Sequence, residues 1–347
     1  MHSSPAAPDL HPLSLTMAYR MRWKRRRLLW RALRARHQLR LVSARRAQVP
    51  ASGVLVFVVL RNEAGRLPFF LQHYRRLGAA HFLVVDNGSD DGSAELLAAQ
   101  PDVTLWQTRA SYREARFGLD WLGWLLLRYG HGRWCLTVDA DELLAYPGMQ
   151  DHGLEALCQQ LETLGQQGLG TLMLDLFPKG ALGDQSYASG QNPLDVLPWF
   201  DAGPYRAVRQ PPLGNLWVQG GTRERVFFAE QPERSPTLNK IPLLRWNRRY
   251  AYVNSTHSLL PPRLNGMYSG PGGNAPSGVL LHTKFLPEVV AKSRTEKARR
   301  QHFHTPENFD HYYDQIASAP DLWHEGAQRY KGPEQLVELG LMRSAWR

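Results

Sequence analysis

Three apolar runs, each delivering a carboxylate where it ends, limit what this chain can fold into more than any other feature. VLVFVVL at 54–60 is continuous and β-branched, as in a parallel strand covered on both faces, and it runs into Arg61-Asn62-Glu63. HFLVVD at 81–86 ends in Asp86, and WCLTV at 134–138 leads into Asp139-Ala140-Asp141-Glu142. Between them, Leu67-Pro68 opens a helix through about Leu77 that Gly78 closes, and the turn DNGSDDGS (86–93) precedes a short helix. VTLWQT (103–108) reads as a further strand, and a longer helix is expected from about Tyr112 to Tyr129. Strands alternating with helices over short, right-handed connections make a doubly wound parallel sheet. Such sheets bind ligands beyond the carboxyl ends of their strands, so Glu63, Asp86 and Asp139 should converge on one rim.

A helix near 153–165 and a strand TLMLD (171–175) extend this pattern. From about 178 to 280 the chain is rich in Pro, Gly and aromatics with weak periodicity, which predicts long ordered loops and short strands of the same domain. Helical periodicity returns from about 287.

The formal charge of +11 suggests nucleic acid until it is located. Residues 20–46 hold twelve Arg and Lys and no acid, and without them 30 basic residues face 31 acidic ones. The basicity belongs to an N-terminal arm, 1–48, and not to a nucleic-acid-binding fold. With Trp23, Leu29, Trp30, Leu33 and Leu41 among its arginines, the arm reads either as a solvated tail or as an interfacial helix for an anionic membrane surface. No apolar run is long enough to span a bilayer, and the first sixteen residues lack the order of a signal peptide. Met17 is an alternative start. Cys135 and Cys158 cannot form a disulfide framework, so the expected location is cytoplasmic, with the inner membrane face as a peripheral site.

The central chemical signal is VDADE at 138–142, an apolar strand delivering two carboxylates one residue apart. That spacing lets one Asp approach a divalent cation directly while the other reaches it through water or holds a ribose. A cation there neutralises the charge that develops on a diphosphate leaving group. The bland reading is a strand-end turn that caps the next element, and DNGSDDGS admits the same reading, with Asn87-Gly88 supplying positive φ. Neither GxxxxGK[ST] nor a GxGxxG after a strand is present, which removes the usual ATPase and dinucleotide readings.

The order RNEAGRLPFFLQHYRRLG, FLVVDNGSDDGS, WCLTVDADELLAYP resembles bacterial glycosyltransferase family 2, particularly a branch in which Glu follows the DxD pair. The resemblance is strong over about 53–180 and less specific to about 305. It implies a GT-A fold (a mostly parallel α/β sheet flanked by helices), a nucleotide-diphosphate sugar donor, a divalent cation (Mn²⁺ or Mg²⁺) and inversion at the anomeric carbon. Carried over by position, Glu63 and Asp86 match the nucleotide-contacting acids, and Asp139 and Asp141 the DxD pair. The expected organisation is then an arm (1–48), a nucleotide-sugar-binding half (49–180), an acceptor-side and metal-completing half of the same domain (181–290) and a C-terminal helical extension (291–347).

The second half offers candidates without a single template. QGGTRERVFF (219–228) sets Arg223 and Arg225 after two glycines, where guanidinium groups could grip phosphate; a β-hairpin with a charged face fits equally. LLHTKF (280–285) puts His282 and Lys284 on one face of a short strand, His282 as a third metal ligand and Lys284 as a diphosphate partner, with His257 and Lys240 as rivals. The acceptor, a saccharide or a lipid-linked one, needs a general base within hydrogen-bond reach. Asp175 and Glu224 are the first candidates, with Asp195 and Glu142 behind them, and Trp199, Trp217 and Tyr205 could stack on sugar or belong to the core. Two other readings compete: a nucleotidyltransferase, which usually carries a Gly-rich basic loop where RNEAGRLP stands, and a non-catalytic membrane-associated scaffold.

Overall fold

The computed structural model describes residues 13–42, 49–299 and 310–346. The first half comprises α1 (Leu15–Ala35), β1 (Arg40–Leu41), β2 (Val54–Leu60), α2 (Leu67–Arg76), β3 (Ala79–Asp86), α3 (Ser93–Ala98), β4 (Val103–Gln107), α4 (Leu119–Tyr129), β5 (Trp134–Thr137), β6 (Glu142–Ala145), α5 (Leu154–Thr163) and β7 (Gly168–Phe177). The second comprises α6 (Pro193–Val196), β8 (Trp199–Phe200), β9 (Tyr205–Gln210), β10 (Asn215–Gly220), α7 (Gly221–Phe227), β11 (Asn239–Arg245), β12 (Ala251–Asn254), β13 (Ser258–Leu260) and β14 (Ser277–His282). The chain then passes through α8 (Val289–Arg299), α9 (Asp310–Ala317), β15 (Gln328–Arg329) and α10 (Pro333–Glu338).

The protein is a mixed α/β fold around one large sheet, with strands in the order β1-β4-β3-β2-β5-β11-β7-β14-β6. The pairings make β4, β3, β2, β5, β7 and β14 run in one direction, while β1, β11 and β6 run against them. Along β2, Val54, Val56, Val58 and Leu60 enter one core cluster while Leu55 and Phe57 enter the other. That alternation is the pleat of a strand covered on both faces. Helices α2 and α5 fill the first cluster and α4 fills the second, with Trp121, Leu122, Leu125 and Leu126 buried. The first cluster also takes in Leu336, Leu341, Met342 and Ala345, so the C-terminal segment packs into the same core as β2. In the β4-β3-β2-β5 run the strand order reverses between β2 and β5, and ligands of doubly wound sheets bind at that crevice.

Four sequence expectations are corrected. The long helix begins at Leu119 and not near Tyr112, because Arg116, Phe117 and Gly118 all have positive φ and turn the chain first. The strand expected at 171–175 extends over Gly168–Phe177, buried throughout. Residues 219–228 form no hairpin of their own; β10 ends at Gly220 and α7 starts at once. Finally, β11 lies between β5 and β7 in the middle of the sheet, although Pro242 argues against a central strand. A register shift between Lys240 and Leu243 accommodates the proline, which has no N–H to give the ladder.

The basic segment is likewise not a detached arm. Helix α1 buries Leu28, Ala32 and Ala35 against the body, and a Cβ on Gly123 of α4 would stand 3.0 Å from that of Ala32. Arg31 pairs with Asp120 at 2.7 Å, and Trp121 Nε1–H donates to Gln38 Oε1 at 2.7 Å. β1 then adds antiparallel to the edge of β4. Among the described residues, no helix is long and apolar enough to cross a membrane. Replacing Ala32 with Glu puts an unpaired charge into this contact and should cost about 1–3 kcal/mol. Tryptic cleavage after Arg25 to Arg27 should accelerate in parallel. Cleavage at the wild-type rate would mean that α1 does not share the stability of the body.

Candidate functional site

Sheet register builds the site. β14 lies between β7 and β6, so His282 stands opposite Asp175 on one side and opposite Glu142 on the other. Its Nδ1–H donates to Asp175 Oδ1 at 2.6 Å, and its Nε2 lies 3.1 Å from Asp141 Oδ2. The main chain locks the same corner, since Thr283 donates to Asp141 O through its N–H at 2.8 Å and its hydroxyl at 3.0 Å. Burial alone would push the His282 pKa down, but the carboxylates of Asp141 and Asp175 outweigh it and raise it above the ordinary 6.5.

Asp175 is buried at the end of this line, and Arg223 grips it with two bonds, Nε to Oδ2 at 2.7 Å and Nη2 to Oδ1 at 2.9 Å. Burial would raise its pKa, yet Arg223 and His282 hold it far below the usual carboxylate range. Both Asp175 oxygens are engaged by Arg223 and His282, so the carboxylate is not presented as a free base. It orients His282 instead. Arg223 reaches it because the chain turns sharply from β10 into α7: Gly220 has φ 133°, and a Cβ there would lie 2.1 Å from Pro204 O. Arg223 is thus a buried partner of Asp175, not an exposed phosphate ligand.

A second unit surrounds Asp139, whose side chain is 53% exposed. Lys240, aimed from the β11 bulge, places Nζ 2.8 Å from Asp139 Oδ2 and also contacts Glu142. Burial opposes its charge, but those two carboxylates outweigh it and raise its pKa. Glu142 is fully buried and its pKa is raised, chiefly by burial against the pull of Lys240. Its Oε2 accepts from the Asp139 N–H at 3.1 Å, so it braces the turn. Nearby, His257 shares hydrogen bonding with Asn239 O at 2.5 Å, and burial with Lys240 lowers its pKa to about 4.

Glu63 does not project alone from β2. It binds Arg66 at 2.7 Å and Lys292 at 3.0 Å, and Arg66 reaches Glu288 at 2.7 Å and Asp141 at 4.0 Å. Burial raises the Glu63 pKa against the pull of both cations. Asp86, fully buried, accepts from Ser89 N–H at 3.3 Å and from Gln107 Nε2 at 3.4 Å. Beside it lies a half-open cleft of about 1030 Å³ beyond the ends of β3 and β4, lined by Arg40, Arg61, Asn87, Asp90, Arg109 and Tyr112 among others.

The remaining candidates lie elsewhere. Lys284 follows the end of β14, and its ammonium stands 4.8 Å from the Tyr312 ring centroid, so it does not share a strand face with His282. Glu224 binds Arg206 and accepts from Ser235 at 3.0 Å, fastening α7 to β9. Both contacts occupy the carboxylate that was expected to act as a base. Asp195 is exposed on α6, Tyr205 is buried with its hydroxyl on Asp201 O, and Trp199 packs edge-to-face on Trp323.

Around the crevice, six carboxylates (Glu63, Asp139, Asp141, Glu142, Asp175, Glu288) face four fixed cations (Arg66, Arg223, Lys240, Lys292), a surplus of two negative charges before His282 is counted. Among the described residues no three His, Cys, Asp or Glu side chains already stand together as a cation site. What is in place is a pair, Asp141 Oδ2 and His282 Nε2, with Asp175 behind the histidine. A carboxylate behind a histidine is how metal-ligating imidazoles are oriented.

No family model matches the chain, and no curated protein matches it by sequence. Among solved structures, it is similar to a 4-diphosphocytidyl-2C-methyl-D-erythritol synthase at 19% identity and TM-score 0.24, over 40% of this chain and 68% of that one. It is also similar to a chain described as a glucose-1-phosphate thymidylyltransferase of Bacillus anthracis at 7% identity and TM-score 0.25, over 40% of this chain and 65% of that one.

Asp175→Asn leaves Arg223 buried without its anion, which should cost about 3–5 kcal/mol at pH 7. Because the folded carboxyl is depressed, its contribution is fully present above the ordinary value of 3.8 and is lost as pH falls through the folded value. Urea unfolding of both proteins should show a wide gap at neutral pH that closes only well below pH 3.8. Equal stabilities at pH 7 would remove Asp175 from this role.

Proposed function

We propose that this chain is a metal-dependent glycosyltransferase that moves a sugar from a nucleotide-diphosphate donor to an acceptor hydroxyl, with inversion. The observation that carries the reading is the Asp175–His282–Asp141 line at the carboxyl ends of β7 and β14, on the same rim as exposed Asp139 that follows β5. The donor's nucleoside occupies the cleft by Asp86, and its diphosphate extends toward Asp139 and Asp141.

The residues fit a divalent cation, Mn²⁺ or Mg²⁺, in their spacing. The 3.1 Å between His282 Nε2 and Asp141 Oδ2 matches the roughly 3 Å expected between neighbouring ligands of an octahedral ion. Asp141 and His282 would hold it, with Asp139 joining directly or through water once released from Lys240. Such a cation supplies Lewis-acid neutralisation of the departing diphosphate. The protein's own share is positional: Arg223 fixes Asp175, Asp175 fixes the imidazole, and Lys240 with Glu142 fixes Asp139. The acceptor is a saccharide or lipid-linked hydroxyl, and the working location is the cytoplasmic side of a membrane.

A panel of nucleotide-diphosphate sugars with Mn²⁺ tests the reaction, with nucleoside diphosphate release as the readout. Pyrophosphate release from nucleoside triphosphate and sugar phosphate would instead make the chain a nucleotidyltransferase. Binding of neither substrate class would make it a scaffold. Asp141→Ala should lower transfer roughly a thousandfold while the fold persists; retention of more than about a tenth of the rate would remove Asp141 from the site.

Metal affinity should also depend on pH. His282 Nε2 must shed its proton to become a ligand, and its pKa in the metal-free protein lies above 6.5. Mn²⁺ affinity should therefore rise with pH from 6.5 upward, with proton release that calorimetry in buffers of different ionisation enthalpy detects. Flat affinity over that range would place the ion elsewhere.

A further inference from the structure

We infer that the outer face of α1 is a docking surface for an anionic lipid bilayer, into whose interface the helix lays an aromatic stripe. At 3.6 residues per turn, positions 15, 19, 23 and 30 fall within about 80° of one another, and 28, 32 and 35 lie roughly opposite. The structure agrees: Leu28, Ala32 and Ala35 are buried on the body, while Leu15 is 90% exposed, Tyr19 60%, Trp23 51% and Trp30 60%. Four large apolar side chains on the solvent side of one helix are not the scattered exposure usual for a soluble surface.

Cations edge the stripe, and one, Arg26, stands within it. Arg22, Arg26, Arg27 and Arg34 are exposed, Arg26 stands 5.3 Å from the Trp23 ring centroid, and α1 contains no acid. Indoles and a phenol between guanidinium groups suit the headgroup boundary, where the rings meet acyl chains and the arginines meet lipid phosphate. Duplex nucleic acid would use the arginines but leave the long apolar row in water. Because α1 is pinned to α4 through Arg31–Asp120 and Ala32, docking fixes the orientation of the whole body. This inference does not depend on the catalytic reading, since it involves no residue of the crevice.

The test is co-sedimentation of the full chain with vesicles of equal parts phosphatidylglycerol and phosphatidylcholine, with phosphatidylcholine vesicles and duplex DNA as parallel arms. We expect binding to the anionic vesicles and little to the neutral ones. The partition coefficient should fall about tenfold or more in Trp23→Ser/Trp30→Ser, from lost interfacial burial. It should fall similarly in Arg22→Glu/Arg26→Glu/Arg27→Glu, from lost attraction to lipid phosphate. Melting temperatures should stay at the wild-type value because these side chains face away from the body; if one variant melts early, Leu15→Ser/Tyr19→Ser provides the same reading. Absence of binding to anionic vesicles overturns the inference, as does binding that the apolar substitutions leave unchanged. DNA binding stronger than vesicle binding and insensitive to the tryptophans would also overturn it and reassign the arginines to nucleic acid.

Discussion

The two-bond clasp of Arg223 on Asp175, with His282 on the same carboxylate, is the interaction on which the crevice depends. A carboxylate buried this deeply is costly unless its charge is met and its lone pairs are used, and here one guanidinium and one imidazole do both. In return the imidazole loses its rotational freedom and keeps its far nitrogen on Asp141. Lys240 plays the corresponding part for Asp139 and Glu142. Two cationic clamps thus hold two sets of acids at the edge of one sheet, and the acids between them retain an excess of negative charge.

The parallel half was legible because its signals are local. Continuous apolar runs gave β2, β3 and β5, short connections gave their direction, and the acids sit where those strands stop. The pairing of Asp141 with His282 was partly legible as well, since the site at the rim follows from strand ends. The family resemblance supplied the chemistry expected there but not the contacts that decide each residue's state.

What was illegible depended on partners distant in sequence. Nothing beside Asp175 announces Arg223, 48 residues away, so a rim acid looked available when it was already bound. Glu224 misled for the same reason, its partner Arg206 being in another element. Lys240 was legible as a possible phosphate partner, but not as the partner of Asp139 and Glu142, which depends on the bulge that admits Pro242 to a central strand. The basic segment misled through composition, because charge counts cannot show that three small or aliphatic positions on one side of α1 suffice to seat it.

The central place of β11 bears on the order in which this molecule can assemble. Asp139 meets its lysine across 101 residues of chain, and Asp141 its histidine across 141. Contacts of such separation form late and slowly, since loop closure precedes their reward. A nascent chain ending after β7 would hold every rim acid but Glu288 yet neither cation clamp, leaving β5 and β7 as two unzipped edges with repelling ends. Dissection of this protein after β7 would therefore yield a first piece with open strands, prone to pair them with those of other copies.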